Sequence, residues 1–269
     1  MGLRINSNDS ALTIQRQVEQ TNRRLLGGLR GLSSGLRINR AADDAAGLAI
    51  AEGFRADVRQ ANQEAASLQT GANYLQTADG GLSVQQEGLQ RVRELAVQAA
   101  NGTLNDDQRA ALNQEAQQIL EGIDQTAAQT EFNGQALLDG SQTGVPVVPG
   151  GNVELTIDES TTASMGVSGV DLGTQADAAA ALEQVDTAIT NVARNRANVG
   201  AQQNRVEAAF DQREIAAQRG AEAEAAIRDL DVARATIEST RNQILLKAGT
   251  ASLLQSNLQG ETAARLLGS

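Results

Sequence analysis

The stretch that decides the fold is LSSGLRINRAADDAAGLAIA, residues 32–51, which lies between two long helical patterns. Its Ser33-Ser34-Gly35 triplet predicts the end of the first helix, because serine hydroxyls compete for backbone groups and glycine tolerates a positive φ. Asp43-Asp44 is typical of an N-cap followed by the acidic first turn of a new helix. The stretch therefore predicts a short connector of fixed shape between two helices.

Apolar periodicity defines the helices on both sides of this connector. Before it, the spacing predicts one amphipathic helix over about residues 7–33. After it, a much longer pattern runs from Asp44 to Ala100, and four of its leucines stand seven residues apart, at Leu68, Leu75, Leu82 and Leu89. A seven-residue repeat of this length predicts a left-handed coiled coil. Gly80-Gly81 interrupts the repeat, and we expect a local loosening or change of register there.

The centre of the chain has a different texture. A third helical pattern extends from Asn105 to about Thr130, and residues 132–173 are then rich in Gly, Ser, Thr and Val. Val145–Val148 and Val153–Ile157 flank the turn sequence Pro149-Gly150-Gly151-Asn152. Two β-branched runs around such a turn predict a β-hairpin.

Helical periodicity returns after the centre and continues almost to the last residue. One heptad seam runs from Leu182 to Phe210, and a second seven-residue ladder consists of Leu230, Ile237, Ile244, Ala251 and Leu258. Because the order of elements is nearly mirror-symmetric, the first and last helices are expected to pair, and the long inner helices to pair as the next layer. The predicted fold class is mainly α, with long antiparallel coiled-coil helices from both chain ends and a small β-hairpin at the centre of the chain.

The composition argues against catalysis and against metal or cofactor sites. The chain has no cysteine and no histidine, which removes thiolate ligands and the commonest general base. Residues 1–40 carry seven arginines against two acids, whereas residues 104–190 carry one base against fourteen acids. Without interleaved aromatic residues, the basic end does not indicate nucleic-acid binding, so we expect no nucleic-acid partner.

No segment predicts membrane insertion. The apolar runs are far shorter than the about 20 residues that a membrane-spanning helix needs. The first residues also lack the apolar core and small-residue cleavage site of a secretory signal. The chain is therefore expected to be cytosolic, or exported by a route that does not use a cleaved signal peptide.

Several motifs, in the right order along the chain, resemble those of bacterial flagellin. They are the connector over residues 32–51, LQRVRELAVQ at residues 89–98, TEFNG at residues 130–134, and Gln243-Ile244-Leu245, Ala248-Gly249-Thr250 and Asn257 near the end. The resemblance covers most of the chain, and only about residues 135–173 are not matched residue by residue.

This resemblance implies a structural subunit, not an enzyme, that self-assembles into the bacterial flagellar filament for motility. It implies an inner tube called D0, formed by residues 1–44 (the N-terminal helix and spoke) and 228–269 (the C-terminal helix). Residues 45–227 would form the surrounding D1 helical bundle, with the hairpin near 132–173. Together with the connector chemistry it predicts the following assembly residues: Gly35, Arg37, Ile38, Asn39, Arg40, Asp43, Asp44, Gln243, Ile244 and Asn257.

The resemblance also implies partners beyond further copies of the chain. They are the flagellar export apparatus, a C-terminal export chaperone, the filament cap, the hook-junction proteins, and the vertebrate innate flagellin receptor at Arg91, Leu95 and Glu115. The terminal helices are expected to be disordered before assembly, because a lone helix of this kind is marginal. Two alternatives stay open: a hook–filament junction protein, and a secreted binding module or toxin-like effector.

Overall fold

The structure is a computed structural model that describes residues 9–148 and 153–267, with side chains described as far as residue 258. Its helices are α1 Asp9–Ser34, α2 Ala45–Ala99, α3 Asp106–Gln129, α4 Gln175–Arg228 and α5 Val232–Leu267. Four two-residue strands lie between α3 and α4: β1 Glu131–Phe132, β2 Gln135–Ala136, β3 Val145–Pro146 and β4 Glu154–Leu155. The mainly helical fold class is confirmed, whereas supercoiling of the helices stays a prediction.

The chain divides into two compact units. Unit 1 takes the described residues up to Val58 together with those from Gln218 onwards, and unit 2 is Arg59–Ala217. Helices α2 and α4 each contribute residues to both units, whereas α1 and α5 belong to unit 1 alone. The division into D0 and D1 at residues 44 and 228 stays a prediction.

Helices α1 and α5 pack antiparallel in unit 1, so that Gly31 lies near Leu230 and Val18 near Gly249. In α1 the buried and half-buried positions are Ala11, Ile14, Val18, Thr21, Leu25, Gly28, Gly31 and Leu32. In α5 they are Ala235, Ser239, Asn242, Leu246, Gly249, Leu253 and Ser256. A β-carbon at Gly249 would lie 2.7 Å from Cγ2 of Val18, so glycine is what allows this close approach. The expected pairing of the first and last helices is thus present within the unit.

The second seven-residue ladder does not lie in this seam. Ile237 is 70% exposed, Ile244 is 62% exposed and Leu258 is 55% exposed, and Leu230 precedes the first residue of α5. Ladder and seam are offset by two residues, or about 200° around the helix, so they occupy different faces. Helix α5 therefore carries an apolar face that its own unit leaves uncovered.

Unit 2 has an extensive core that α2, α3, α4 and the central segment build together. The four heptad leucines of α2, from Leu68 to Leu89, are at most 1% exposed, which confirms that this repeat marks a buried face. The same core contains small and β-branched residues of α4: Ala178, Ala181, Val185, Ala188, Val192, Val199 and Val206.

The expected loosening at Gly80-Gly81 is not seen, because α2 runs unbroken from Ala45 to Ala99. Gly81 instead serves packing. A β-carbon there would lie 2.6 Å from Oγ1 of Thr130 and 2.9 Å from Cδ1 of Leu138. The glycine therefore lets the segment that follows α3 lie directly on α2.

Two antiparallel strand pairs form in the central segment. Strands β3 and β4 pair with Val145 opposite Leu155, which confirms the predicted hairpin, although its turn at residues 149–152 lies outside the described residues. Strands β1 and β2 form a second hairpin with a two-residue turn, in which Asn133 has φ 53° and Gly134 has φ 76°. Positive φ at both turn residues suits the right-handed twist of the flanking strands.

Side-chain amides anchor the backbone of the central segment to the helices. In the core, Nε2 of Gln85 donates to the Ser160 carbonyl at 2.8 Å, and Oγ of Ser160 donates back to Oε1 of Gln85 at 2.7 Å. On α4, Gln202 accepts from the Thr156 amide at 2.8 Å and donates to its carbonyl at 2.7 Å. These bonds satisfy backbone groups that the short strands leave unpaired.

Across residues 9–148 and 153–267, no helix is both long and apolar enough to cross a membrane. The same residues contain no cluster of three or more side chains of the types that hold metal ions. The predicted site residues lie in the connector, on α5 and around Arg91.

Candidate assembly surfaces

The connector begins where Gly35 turns the chain out of α1. Helix α1 ends at Ser34, as the Ser-Ser-Gly triplet predicts, and Gly35 has φ 73°. Its amide donates to the Gly31 carbonyl at 2.9 Å, which closes the last turn of the helix. This left-handed conformation costs an L residue about 1–2 kcal/mol, so glycine is the residue that fits.

The connector pairs with the return connector, residues 229–231 between α4 and α5. Leu36 and Asp229 form an antiparallel bridge, with the Leu230 amide donating to the Gly35 carbonyl at 2.9 Å and the Arg37 amide to the Arg228 carbonyl at 2.7 Å. The Arg37 guanidinium also donates through Nη2 to the carbonyl of Ile227. Residues 35–37 and 228–230 are thus held together as one short two-stranded segment, here called the joint.

Two aspartates fix the second half of the connector, and they do so differently. Oδ2 of Asp43 accepts from the amides of Asn39 at 3.1 Å and Arg40 at 2.9 Å, so this carboxylate closes the loop rather than the helix. Oδ1 of Asp44 accepts from the Gly47 amide at 2.8 Å and is the N-cap of α2. The predicted cap role therefore belongs to Asp44, while Asp43 organises the loop before it.

The connector residues differ in what they offer to a neighbouring molecule. Ile38 is 1% exposed and packs inside unit 1, so any effect of Ile38 on assembly has to act through the shape of the joint. Gly35, Arg37, Asn39 and Arg40 are exposed. The exposed surface of the connector is therefore polar and basic, and the aliphatic side chain of Ile38 is buried beneath it.

The three predicted assembly residues of α5 are all exposed: Gln243, Ile244 and Asn257. Ile244 lies in an open apolar groove of about 420 Å³ that Ile237, Thr240 and Leu245 also line. Large apolar side chains in such a continuous exposed strip mark an interaction surface in a water-exposed protein.

Arg91 is the centre of a charged cluster on unit 2. Its Nη2 lies 2.8 Å from Oε1 of Glu115 and its Nη1 lies 2.9 Å from Oε2 of Glu94. The hydrogen bonds that Arg91 donates to Glu115, and then to Glu94, raise the pKa of Arg91 above its ordinary value. Since all three groups are well exposed, the cluster contributes little to folding and remains available to a partner.

Leu95, the third receptor position that the resemblance implies, is not on this surface. Its side chain is 1% exposed and belongs to the unit 2 core. A residue at this depth supports the helix beneath Arg91 and Glu115, and it cannot contact a partner unless the core opens. The surface that the structure presents therefore consists of the charged residues alone.

Residue periodicity does not reveal the return connector. Leu230 fits the seven-residue ladder, yet it lies between α4 and α5 and contributes a backbone bond to the joint. A local signal is present in Asp231, whose Oδ1 accepts from the Arg234 amide at 3.1 Å and caps α5. An aspartate directly before the first residue of a helix is a typical N-cap.

Comparisons with known proteins agree with this architecture. The family model for the bacterial flagellin N-terminal helical region matches residues 5–143, and that for the C-terminal helical region matches residues 182–267. The flagellar filament 33 kDa core protein of Treponema phagedenis is 36% identical over 98% of this chain and 99% of its own length. A flagellin of Halalkalibacterium halodurans is 39% identical over 88% of this chain and 89% of its own length.

One solved structure adds evidence on the fold. It is a putative flagellar hook-associated protein from Vibrio parahaemolyticus, with a TM-score of 0.58 over 69% of this chain and 99% of that chain. At 16% identity this likeness shows the shared fold alone. Two family models that together span most of the chain, with relatives matched over nearly their whole length, place this chain in the bacterial flagellin family.

Proposed function

We infer that this chain is a structural subunit of the bacterial flagellar filament, in which identical copies assemble into a helical polymer. Its role is mechanical and not enzymatic. The observation that carries the inference, beside membership of the family, is the uncovered apolar face of α5 in unit 1, where Ile237 and Ile244 are more than 60% exposed. Neighbouring copies of the chain are the partner that a filament supplies to this face.

For the arrangement within the filament, we propose that α1 and α5 form the inner tube (D0) and that the inner helices with the hairpins form the surrounding layer (D1). This assignment rests on the resemblance, with boundaries near residues 44 and 228. It is supported by the contrast between the two units. Unit 2 has a large core of leucine, isoleucine and valine, whereas the α1–α5 seam is built mainly from small and polar residues.

The same contrast supports the proposal that the terminal helices order only on assembly. Large apolar residues of this seam, such as Ile14, Val18 and Leu246, are only half-buried, so the seam offsets less of the entropy lost when two long helices form than a fully buried core would. We propose that the ends are disordered in the free subunit, which would let the chain thread the export apparatus without a cleaved signal peptide. Protease resistance of both ends in dilute subunit would contradict this.

Further partners follow from the role of an exported filament subunit. We propose a C-terminal export chaperone that holds the end of the chain before export, and the cap and hook-junction proteins that meet the subunit at the filament ends. An extracellular location on the bacterial flagellum goes with this role. The exposed residues Gln243, Ile244 and Asn257 are candidates for these contacts as well as for contacts between subunits.

We also propose that Arg91 and Glu115 contact the vertebrate innate flagellin receptor. Their side chains remain about half exposed in the subunit, so the cluster is accessible. An Arg91→Ala, Glu115→Ala variant is expected to lose receptor signalling while its helical content stays unchanged. Arg93→Ala is the matched control, since Arg93 pairs with Asp186 at a similar exposure. Full signalling by the double variant would remove these residues from the proposal.

Electron microscopy of purified subunit added to short filament seeds tests the central inference. Long filaments growing from the seeds support the filament subunit. Seeds that become capped and stop growing would instead indicate a hook–filament junction protein. Subunits that do not associate with the seeds would indicate a secreted binding module or effector.

A further inference from the structure

The turn between α2 and α3 contains the Asn-Gly pair Asn101-Gly102, and the buried side chain of Arg109 binds backbone carbonyls beside it, an arrangement called the Arg109 clamp. Helix α2 ends at Ala99, and Arg109, although charged, is only 7% exposed. Its Nε donates to the Ala99 carbonyl at 3.1 Å and its Nη2 donates to the Asn101 carbonyl at 3.2 Å. The guanidinium therefore satisfies the last carbonyls of α2 and fixes where the turn begins.

The Asn101 side chain is exposed and its amide carbon is activated. Oδ1 of Asn101 accepts from the Thr103 amide at 3.1 Å and from Oγ1 of Thr103 at 3.0 Å. Two donors on one carbonyl oxygen draw electron density from Cγ and stabilise the oxyanion that forms when a nucleophile attacks that carbon.

The backbone nitrogen of Gly102 is the nucleophile, and little around it hinders an attack on Cγ of Asn101. It has no side chain to block rotation towards Asn101, and within the described residues its amide is not engaged in a hydrogen bond. The nearest atom to a β-carbon built on Gly102 would be Nε2 of Gln175, at 3.6 Å. The attacking nitrogen is thus exposed, unhindered and adjacent to an activated carbon.

We propose that Asn101 is a site of spontaneous deamidation, through a cyclic imide formed with Gly102. The Gly102 nitrogen loses its proton to a base in solution and bonds to Cγ of Asn101, and the Cγ–Nδ2 bond breaks so that ammonia leaves. Water then opens the ring. Attack at the side-chain carbonyl gives aspartate, and attack at the backbone carbonyl gives isoaspartate, in which the chain continues through Cγ.

The isoaspartate product changes the turn that Arg109 holds. Its main chain runs through Cγ and is one carbon longer, and the backbone carbonyl that accepts from Nη2 of Arg109 becomes a free carboxylate outside the main chain. Both products also add a carboxylate beside the C-terminal end of a long helix, where the helix dipole disfavours negative charge. The modified chain is therefore expected to have a looser α2–α3 turn and a lower melting temperature.

A second Asn-Gly pair within the chain provides an internal comparison. Asn133 and Gly134 are the two central residues of the β1–β2 turn, both with positive φ, and strand pairing holds the residues on either side. Forming the imide there requires the hairpin to open. Asn101 instead stands at the start of its turn, with the Leu104 amide donating to its carbonyl at 3.2 Å, and no strand pairing surrounds it.

The test is incubation of the full-length chain at mildly alkaline pH, with samples digested by trypsin over time. The tryptic peptide Glu94–Arg109 carries Asn101, and mass spectrometry follows the replacement of its amide by a carboxyl group. An isoaspartate-specific methyltransferase reports the isoaspartate fraction. We expect Asn101 to react several-fold faster than Asn133, with isoaspartate as one product.

Two variants separate the mechanism from general instability. Gly102→Ala places its β-carbon in ordinary van der Waals contact, so the fold is kept while the imide rate falls by about ten-fold. Thr103→Val removes one donor to Oδ1 and is expected to slow the reaction by a few-fold. Equal rates at Asn101 and Asn133, or an unchanged rate in Gly102→Ala, would overturn the proposal.

Discussion

Truncation of Ile244 to alanine tests whether the uncovered face of α5 drives assembly. Ile244 is 62% exposed in the subunit, and full burial of an isoleucine side chain is worth about 1.5–3 kcal/mol. Scaled by the fraction still exposed, covering this side chain in the filament contributes about 1–2 kcal/mol for each added subunit. Ile244→Ala is therefore expected to raise the critical concentration for polymerisation by roughly 5- to 30-fold.

The assay is seeded polymerisation followed by light scattering, with the critical concentration taken from a dilution series. Ile215→Ala is the matched control, because Ile215 is an isoleucine of α4, in unit 2, that is 48% exposed and lies outside the ladder. The control is expected to leave the critical concentration close to that of the wild type. If Ile244→Ala also polymerised like the wild type, or Ile215→Ala were equally impaired, the ladder would not be the assembly face.

Three further changes test the joint, the core and the sole tyrosine. Gly35→Val, at a residue with φ 73°, should raise the critical concentration by about ten-fold, whereas Gly35→Asn should do so far less. Gln85→Leu should lower the free energy of unfolding of unit 2 by about 1–3 kcal/mol in denaturant titration, and adding Ser160→Ala should recover part of that loss. Burial, and then the charge of Asp139, raise the pKa of Tyr74 above 10.0 in the folded chain, so folding is favoured by the neutral tyrosine fully below pH 10.0 and this contribution is lost as the pH rises through the folded-state pKa. Tyrosinate absorbance measures the pKa, and Tyr74→Phe should abolish the loss of stability at high pH.

The connector and the long helices are predictable from sequence because their signals are local. The Ser-Ser-Gly triplet ends α1 at Ser34, one residue after the predicted end of the helix, and Asp44 caps α2 as its position suggests. The capping box at the start of α3 is equally local, with Asn105 and Gln108 bonded to one another's backbone amides. Each of these signals acts within four residues, where chain spacing alone fixes the geometry.

The face of α5 that packs on α1 is not predictable by the same means. Hydrophobic periodicity selects Ile237, Ile244 and Leu258, whereas the face that packs on α1 contains Ser239 and Gly249. Because two helices approach most closely through small residues, the buried seam is the less apolar of the two. The pairing of Leu36 with Asp229 is likewise invisible to local patterns, since it joins residues far apart in the chain.

The β1–β2 hairpin shows a third kind of limit. Its Asn133-Gly134 turn carries a strong hairpin signal, but each strand is only two residues long. Such strands are too short to show alternation of apolar and polar residues, so the pattern on which strand prediction depends is absent. Phe132 of this hairpin makes an edge-to-face contact with Tyr74 of α2, at 5.8 Å between ring centroids, and such a contact between residues far apart in the chain has no local signal.

The contacts inside the joint sharpen which connector residue is available to a neighbouring subunit. Arg37 is already bonded to the Ile227 carbonyl, Asn39 donates to the Leu36 carbonyl at 2.9 Å, and Asp43 accepts two backbone amides. The guanidinium of Arg40 is exposed and makes no hydrogen bond or ion pair within the described residues. A contact made by Arg37 or Asp43 would have to compete with bonds that shape the joint, whereas one made by Arg40 would not. Arg40 is therefore the connector side chain on which a direct contact between subunits should depend most.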